Sequence, residues 1–327
     1  MSPPTILIIG ATGKQGSAVL DELSTAISAS ASSNSSPAPK ILALTRSASS
    51  PAAQALTSSY PGLDLELVEG NTKDPAPIFA AHPDISAVFS YTTPPDEEAQ
   101  ALALIDFCAN SACSSSKGSK VRHFVFSSVD RGGDVASWDT PTQIPHFRSK
   151  HVTEQHLRAA CEASSPRNKM TYTILRPVAF MDNLNPTSAF GIVFASIWGT
   201  MPWDTKLQLV SVRDIGRFAA RALLHPEKYA GRAVGIAGDE LTLGEARAVY
   251  RKVAGTQLPQ AWGVVGWGVR WAVAEVGKMF EWFETDGYGV DVAKCREEEP
   301  RLQSLERWLR EDSRFECGKG TGTGTEK

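Results

Sequence analysis

Thr5-Ile6-Leu7-Ile8-Ile9-Gly10-Ala11-Thr12-Gly13-Lys14-Gln15-Gly16 is the stretch that decides the fold of this 327-residue chain. Four consecutive apolar residues, Ile6 to Ile9, have the length and β-branching of a buried parallel strand. Three glycines follow at a spacing of three, and a helical pattern then runs from Ser17 to Leu23. Each glycine has a physical use in a strand–turn–helix unit. Gly10 permits a turn that a side chain would block, Gly13 lets the backbone approach a pyrophosphate, and Gly16 lets the helix lie close on the strand. The helix start then offers unpaired N–H donors and a positive dipole end to an anion. Gly10, Ala11, Thr12, Gly13, Lys14, Gln15 and Gly16 are therefore read as a phosphate-holding turn. The spacing is G-x-x-G-x-x-G rather than G-x-G-x-x-G, and a tight turn that holds no ligand would look the same.

Working outward, Lys40 to Thr45 is the second strand, and Arg46 stands at its end. An acidic residue there grips the ribose 2′-hydroxyl of NAD. A guanidinium instead matches a 2′-phosphate through paired, charged hydrogen bonds, so Arg46 favours NADP, unless it is an ordinary surface arginine. Leu63 to Glu69 alternates as a third strand, and Asn71 after it is either an adenine contact or a turn residue. Ile85 to Tyr91 is the fourth strand. It ends in Thr92, Thr93 and Pro94, small residues able to pass under a nicotinamide ribose at a strand end that faces the cofactor crevice. A helix from Asp96 to Asn110 precedes the fifth strand, Val121 to Ser127. Repeated strand–helix alternation specifies a parallel sheet with right-handed crossovers.

Bulk properties narrow the function. With 42% apolar and 21% charged residues the composition is that of a globular protein. A net charge of −3 gives no general pull toward nucleic acid. The five cysteines are widely spaced with no C-x-x-C pair, so neither a metal site nor a disulfide frame is expected. No basic leader precedes the first strand, and the expected location is the cytoplasm, or the nucleus for a regulator. Trp262 to Phe283 is rich in Trp, Val and Gly, but Arg270, Glu275, Lys278 and Glu281 interrupt it. A packed helix pair is the preferred reading, and no membrane span is expected.

The segments GATGKQG, LTRS, YTTPP, PHFRSK, TILRPVAFMDNL, VSVRDIGRFAARAL, IAGDELTLGEA and DGYGVDVAKCREEEPRLQSLERWLRED together resemble the NmrA-like family of atypical short-chain dehydrogenase/reductases. The resemblance implies an NADP-binding, doubly wound α/β fold of Rossmann type with a smaller, mostly helical second domain. The expected division is 1–178 and 207–237 for the nucleotide domain, 179–206 and 238–317 for the smaller one, and a disordered tail at 318–327. It also implies roles for Arg46 at the 2′-phosphate, Asn71 at the adenine and Thr92 to Pro94 beside the cofactor. Phe180, Met181, Asp182 and Asn183 would close over the nicotinamide. Lys150 corresponds to the ribose lysine of a Tyr-x-x-x-Lys pair, in which i, i+4 spacing puts both side chains on one helical face. His146 occupies the tyrosine position and can donate a proton near neutral pH, so His146 and Lys150 are the catalytic candidates. A helix-start histidine that touches nothing reactive remains the alternative for His146.

Family members include oxidoreductases and redox sensors that bind transcription factors. Two functions are thus expected: hydride transfer between NADP and a small-molecule substrate, or non-catalytic NADP sensing with a regulatory protein partner. Leu184 to Thr205, loop-rich and apolar with Phe190, Phe194, Trp198, Met201 and Trp203, reads as a wall for an apolar or aromatic substrate. A lid or partner surface would look the same.

Overall fold

The computed structural model describes residues 3–31, 37–109, 119–164, 169–185 and 187–313. In chain order its elements begin β1 (Thr5–Ile9), α1 (Lys14–Ala31), β2 (Lys40–Thr45), α2 (Pro51–Ser59), β3 (Asp64–Glu69), α3 (Ala76–Ala81), β4 (Ile85–Tyr91) and α4 (Glu97–Ala109). There follow β5 (His123–Ser127), α5 (Asp134–Asp139), α6 (Pro145–Ala163), β6 (Thr171–Pro177), β7 (Ala179–Phe180), a 3-10 turn (Met181–Leu184), α7 (Ala189–Trp198), β8 (Lys206–Val210) and α8 (Val212–Leu224). The chain ends with α9 (Pro226–Tyr229), β9 (Arg232–Ile236), β10 (Asp239–Thr242), α10 (Leu243–Ala254), α11 (Gly263–Ala272), α12 (Ala274–Thr285), α13 (Val292–Glu298) and α14 (Leu305–Glu311). Two compact units result: residues 1–177 with 212–236, and residues 178–211 with 237–327.

The first unit is the doubly wound α/β fold. Seven parallel strands lie in the order β3-β2-β1-β4-β5-β6-β9. Ile6, Leu7 and Ile8 are wholly buried, as a parallel strand covered on both faces requires. Leu7 and Ile9 join a core with Leu104 and Ile105 of α4 and Leu157 of α6. α1 and α8 meet where Gly216 has no side chain, since a Cβ there would stand 2.4 Å from the Ala18 carbonyl oxygen. Strand order reverses between β1 and β4, and in open α/β sheets the crevice at such a point is where ligands bind.

The second unit holds a three-stranded sheet, β10-β8-β7, with β10 antiparallel and β7 parallel to β8. β8 therefore belongs to this small sheet, although the sequence division put 207–237 with the nucleotide domain. α10 opens with the capping box that Thr242 and Glu245 predict: Thr242 Oγ1 accepts from the Glu245 N–H at 3.2 Å, and Glu245 Oε2 accepts from the Thr242 N–H at 2.8 Å.

Three sequence expectations change. α1 runs to Ala31, well past Leu23, because Ser24 to Ala31 (STAISASA) hold no Gly or Pro to break the helix. Residues 28–39 (SASASSNSSPAP), whose composition reads as a low-complexity surface insertion, thus begin as helix, and 32–36 lie outside the described residues. Residues 184–205 are not mainly loop. α7 buries Phe194, Ile197 and Trp198, leaving Phe190 and Trp203 exposed. The expected tail at 318–327, and most of 114–119, which the sequence reads as a short serine-rich loop, also fall outside the described residues.

Candidate functional site

The glycine turn follows β1 directly. Gly10 has φ +63°, a conformation that side-chained residues rarely adopt, and its carbonyl accepts from the Gly13 N–H at 2.8 Å to close the turn. A Cβ at Gly16 would stand 2.3 Å from the Gly10 carbonyl oxygen, so α1 lies against the end of β1 only because that residue is glycine. Thr12 and Lys14 are exposed and Ala11 is buried. The buried Oε1 of Gln15, in the first helical turn, has no hydrogen-bond partner among the described residues. The opening N–H groups of a helix have no acceptor within it. Arg46, immediately past β2, is exposed and makes no ion pair among the described residues. The turn, the helix start and the free guanidinium at the adjacent strand end fit the phosphates of a dinucleotide.

Asn71 is exposed, and its Oδ1 accepts from the Lys73 N–H at 3.0 Å within a small bridge to Asp74. That oxygen serves the turn, the second of the two readings its sequence position allows. Phe180, Met181, Asp182 and Asn183 lie in the second unit, at the end of β7 and in the 3-10 turn. Met181 is fully buried there.

At the carboxyl end of β4, next to β1 in the sheet, four side chains form a chain of hydrogen bonds. Lys150 Nζ donates to Thr92 Oγ1 at 2.6 Å and to the Thr92 carbonyl at 3.1 Å, and pairs with Glu97 Oε2 at 3.2 Å. Thr92 Oγ1 donates to Glu97 Oε2 at 2.9 Å. The other carboxylate oxygen, Oε1, meets His146 Nδ1. Lys150 and Glu97 are buried, whereas the His146 side chain is 34% exposed and is the member that faces solvent. Thr93 and Pro94 are exposed beside it. Glu97 was not among the sequence candidates. An acidic helix start is common, and its partners on α6 lie about fifty positions away, a distance that no local spacing encodes.

Electrostatics tie the cluster together. Burial alone would push the Glu97 carboxyl up. The His146 hydrogen bond, the Lys150 charge and the Thr92 hydroxyl outweigh it and hold that carboxyl at about 2. Burial draws the Lys150 ammonium below its ordinary range, against the pull of Glu97. Glu97 is thus a fixed anion that meets the imidazole at Nδ1.

α6 is held in place by a second buried set. Glu154 takes hydrogen bonds from Arg131 Nη2 at 2.8 Å, Arg176 Nη2 at 2.7 Å and the Ser128 hydroxyl, and Arg176 reaches Asp134 at 2.7 Å. Arg131, Glu154 and Arg176 are at most 2% exposed. This set locks α6, which carries His146 and Lys150, to the ends of β5 and β6.

A model of the NmrA-like family matches residues 3–308. No curated protein sequence matches the chain significantly. Among solved structures, it is similar to the negative transcriptional regulator NmrA in complex with NADP, at 16% identity and TM-score 0.66, over 97% of each chain. NmrA has also been crystallised with NAD. The triphenylmethane reductase of Citrobacter sp. complexed with NADP(H) is 16% identical with TM-score 0.65, over 94% of this chain and 99% of that one. The NADPH-dependent quinone oxidoreductase QOR2 of Escherichia coli, complexed with NADPH, is 17% identical with TM-score 0.63, over 94% and 98%.

Proposed function

The chain belongs to the NmrA-like family, and from that membership we propose that it is an NADP-dependent oxidoreductase acting on a small, apolar or aromatic organic substrate. The observation that carries the proposal is the Lys150–Glu97–His146 relay at the switch point of the sheet. A relay that ends on a half-exposed imidazole is what proton transfer to a reduced substrate needs. Gly10, Ala11, Thr12, Gly13, Lys14, Gln15 and Gly16 would hold the phosphates, and Arg46 the 2′-phosphate. Thr92, Thr93 and Pro94 would border the cofactor. When bound, NADP(H) supplies or receives the hydride. Glu97 would accept from His146 Nδ1–H and so orient the ring, leaving Nε2 as the atom through which the proton passes, and Lys150 would keep Glu97 ionised. Phe180, Met181, Asp182 and Asn183 are proposed to flank the nicotinamide, and Asn71 the adenine through its amide nitrogen. The enzyme would work in the cytoplasm.

A second reading rests on one observation. All three ammonium hydrogens of Lys150 have acceptors inside the protein, at Thr92 O, Thr92 Oγ1 and Glu97 Oε2. A lysine so engaged has no donor left for a ribose unless one bond is exchanged. This favours a non-catalytic NADP sensor that reports to a regulatory protein, in the nucleus or the cytoplasm. The two readings separate on turnover. Purified protein given NADPH and a panel of quinones, enones and triarylmethyl cations should consume NADPH with at least one acceptor. His146→Ala should lower kcat about a hundredfold or more, the ordinary worth of general acid–base catalysis. Tight NADPH binding with no consumption on any acceptor would reject the enzyme and leave the sensor.

A further inference from the structure

β4 ends in Tyr91, whose side chain crosses to the glycine turn that follows β1. The Tyr91 hydroxyl donates to the Gly10 carbonyl oxygen at 3.2 Å. A Cβ built on Gly13 would stand 2.2 Å from Tyr91 Oη, and one built on Gly10 would stand 2.5 Å from it. The hollow left by two absent side chains is therefore filled by a phenol of the chain itself. Gly13 is the residue whose missing side chain lets a pyrophosphate approach the backbone in such a turn. A phosphate oxygen and the phenol oxygen cannot both occupy that hollow. The turn does not need the phenol to stay closed, because the Gly10 carbonyl already accepts from the Gly13 N–H at 2.8 Å. Tyr91 is also only partly buried. Burial raises its pKa while the charge of Arg46 opposes that rise, in keeping with both side chains facing the same end of the sheet.

We propose that Tyr91 plugs the phosphate seat of the glycine turn and that a dinucleotide binds only when the phenol swings out. The proposal rests on the dinucleotide-binding reading given above. Its consequence is quantitative: the apparent affinity is the intrinsic one reduced by the fraction of molecules whose turn is open. The hydrogen bond between the phenol and Gly10 is neutral and part-buried, and breaking it corresponds to a penalty of about 2- to 10-fold. A ligand that engages Arg46 through a 2′-phosphate but carries no pyrophosphate, such as 2′-AMP, does not need the seat and escapes the penalty.

Isothermal titration of the full-length protein with NADP+ and with 2′-AMP tests this in wild type, Tyr91→Ala and Tyr91→Phe. Tyr91→Ala should bind NADP+ about 2- to 10-fold more tightly than wild type and bind 2′-AMP unchanged. Tyr91→Phe, which keeps the ring but loses its bond to Gly10, should fall between. Unchanged 2′-AMP binding also certifies that the variants are folded. NADP+ binding that is equal or weaker in Tyr91→Ala, beside a wild type that binds, would overturn the plug. Equal tightening of both ligands would overturn it too. Binding of NADP+ to none of the three proteins would instead remove the dinucleotide reading itself, and the plug with it.

Discussion

Glu97 shows how much one buried carboxylate can decide. Its folded-state pKa, at about 2, lies below the ordinary 4.5. A depressed carboxylate pKa stabilises the folded state above the unfolded value, and that stability is lost as pH falls through the folded one. The window is therefore pH 4.5 down to about 2, and the contribution at neutral pH is roughly 3 kcal/mol. Urea unfolding of wild type followed across this window should show stability falling steeply with acid. Glu97→Gln should be less stable at pH 7 and should lose less stability than wild type across the same window, the other carboxylates of the protein titrating in both. Parallel pH curves for the two proteins would refute the role assigned to Glu97. At this scale the sequence is legible where chemistry is local. Gly10 to Gly16 and Arg46 can be read because their spacing and strand-end position carry their meaning. Lys150 and His146 can be paired by i, i+4 spacing on α6. Glu97 cannot be found that way, because its value lies mainly in the contact between α4 and α6. Nor does a tyrosine at the end of an apolar strand announce that it will bend into a turn eighty residues earlier.

Elements are placed by what each one buries. α6 is anchored by Glu154, wholly buried between two arginines. Two guanidiniums on one carboxylate leave a buried cation without a partner if the carboxylate is removed. Glu154→Ala should then cost about 3–5 kcal/mol in urea unfolding, a loss that an exposed pair would not produce. A change under 1 kcal/mol would show that α6 is held by apolar packing alone. α11 shows the opposite case. Charges within 262–283 are the sequence grounds for a packed helix pair, and two helices do form. Yet α11 buries only Gly266, which lies against Ser196, and leaves Trp267 and Trp271 59% and 88% exposed. Hydrophobicity alone favours burial for every tryptophan in this stretch. The close glycine contact fixes which face packs, and the others stay outside. No helix among the described residues is long and apolar enough to cross a membrane.

For the molecule as a whole, the alternation of apolar runs and helical patterns up to Pro177 was enough to specify a parallel, doubly wound sheet, because all of these runs but the edge strand β3 are largely buried on both faces. The smaller unit was harder to read. β10 is four residues long and β7 two, and pairing between such short strands depends on tertiary partners. The family resemblance gave the outline of that unit, and only the three-dimensional arrangement gave its sheet. The account depends on one ligand and one discriminating side chain. NmrA has been crystallised with NAD as well as NADP, so the fold alone does not choose between them, and the proposed function assigns the choice to Arg46. Calorimetric titration of wild type and Arg46→Asp with NADP+ and NAD+ is the direct measurement. Wild type should bind NADP+ at least tenfold more tightly than NAD+, as hydrogen bonds to charged groups at about 1.5–3 kcal/mol each imply. Arg46→Asp should lose that preference with little change toward NAD+. Absence of binding by either coenzyme, or equal losses for both on substitution, would contradict the account.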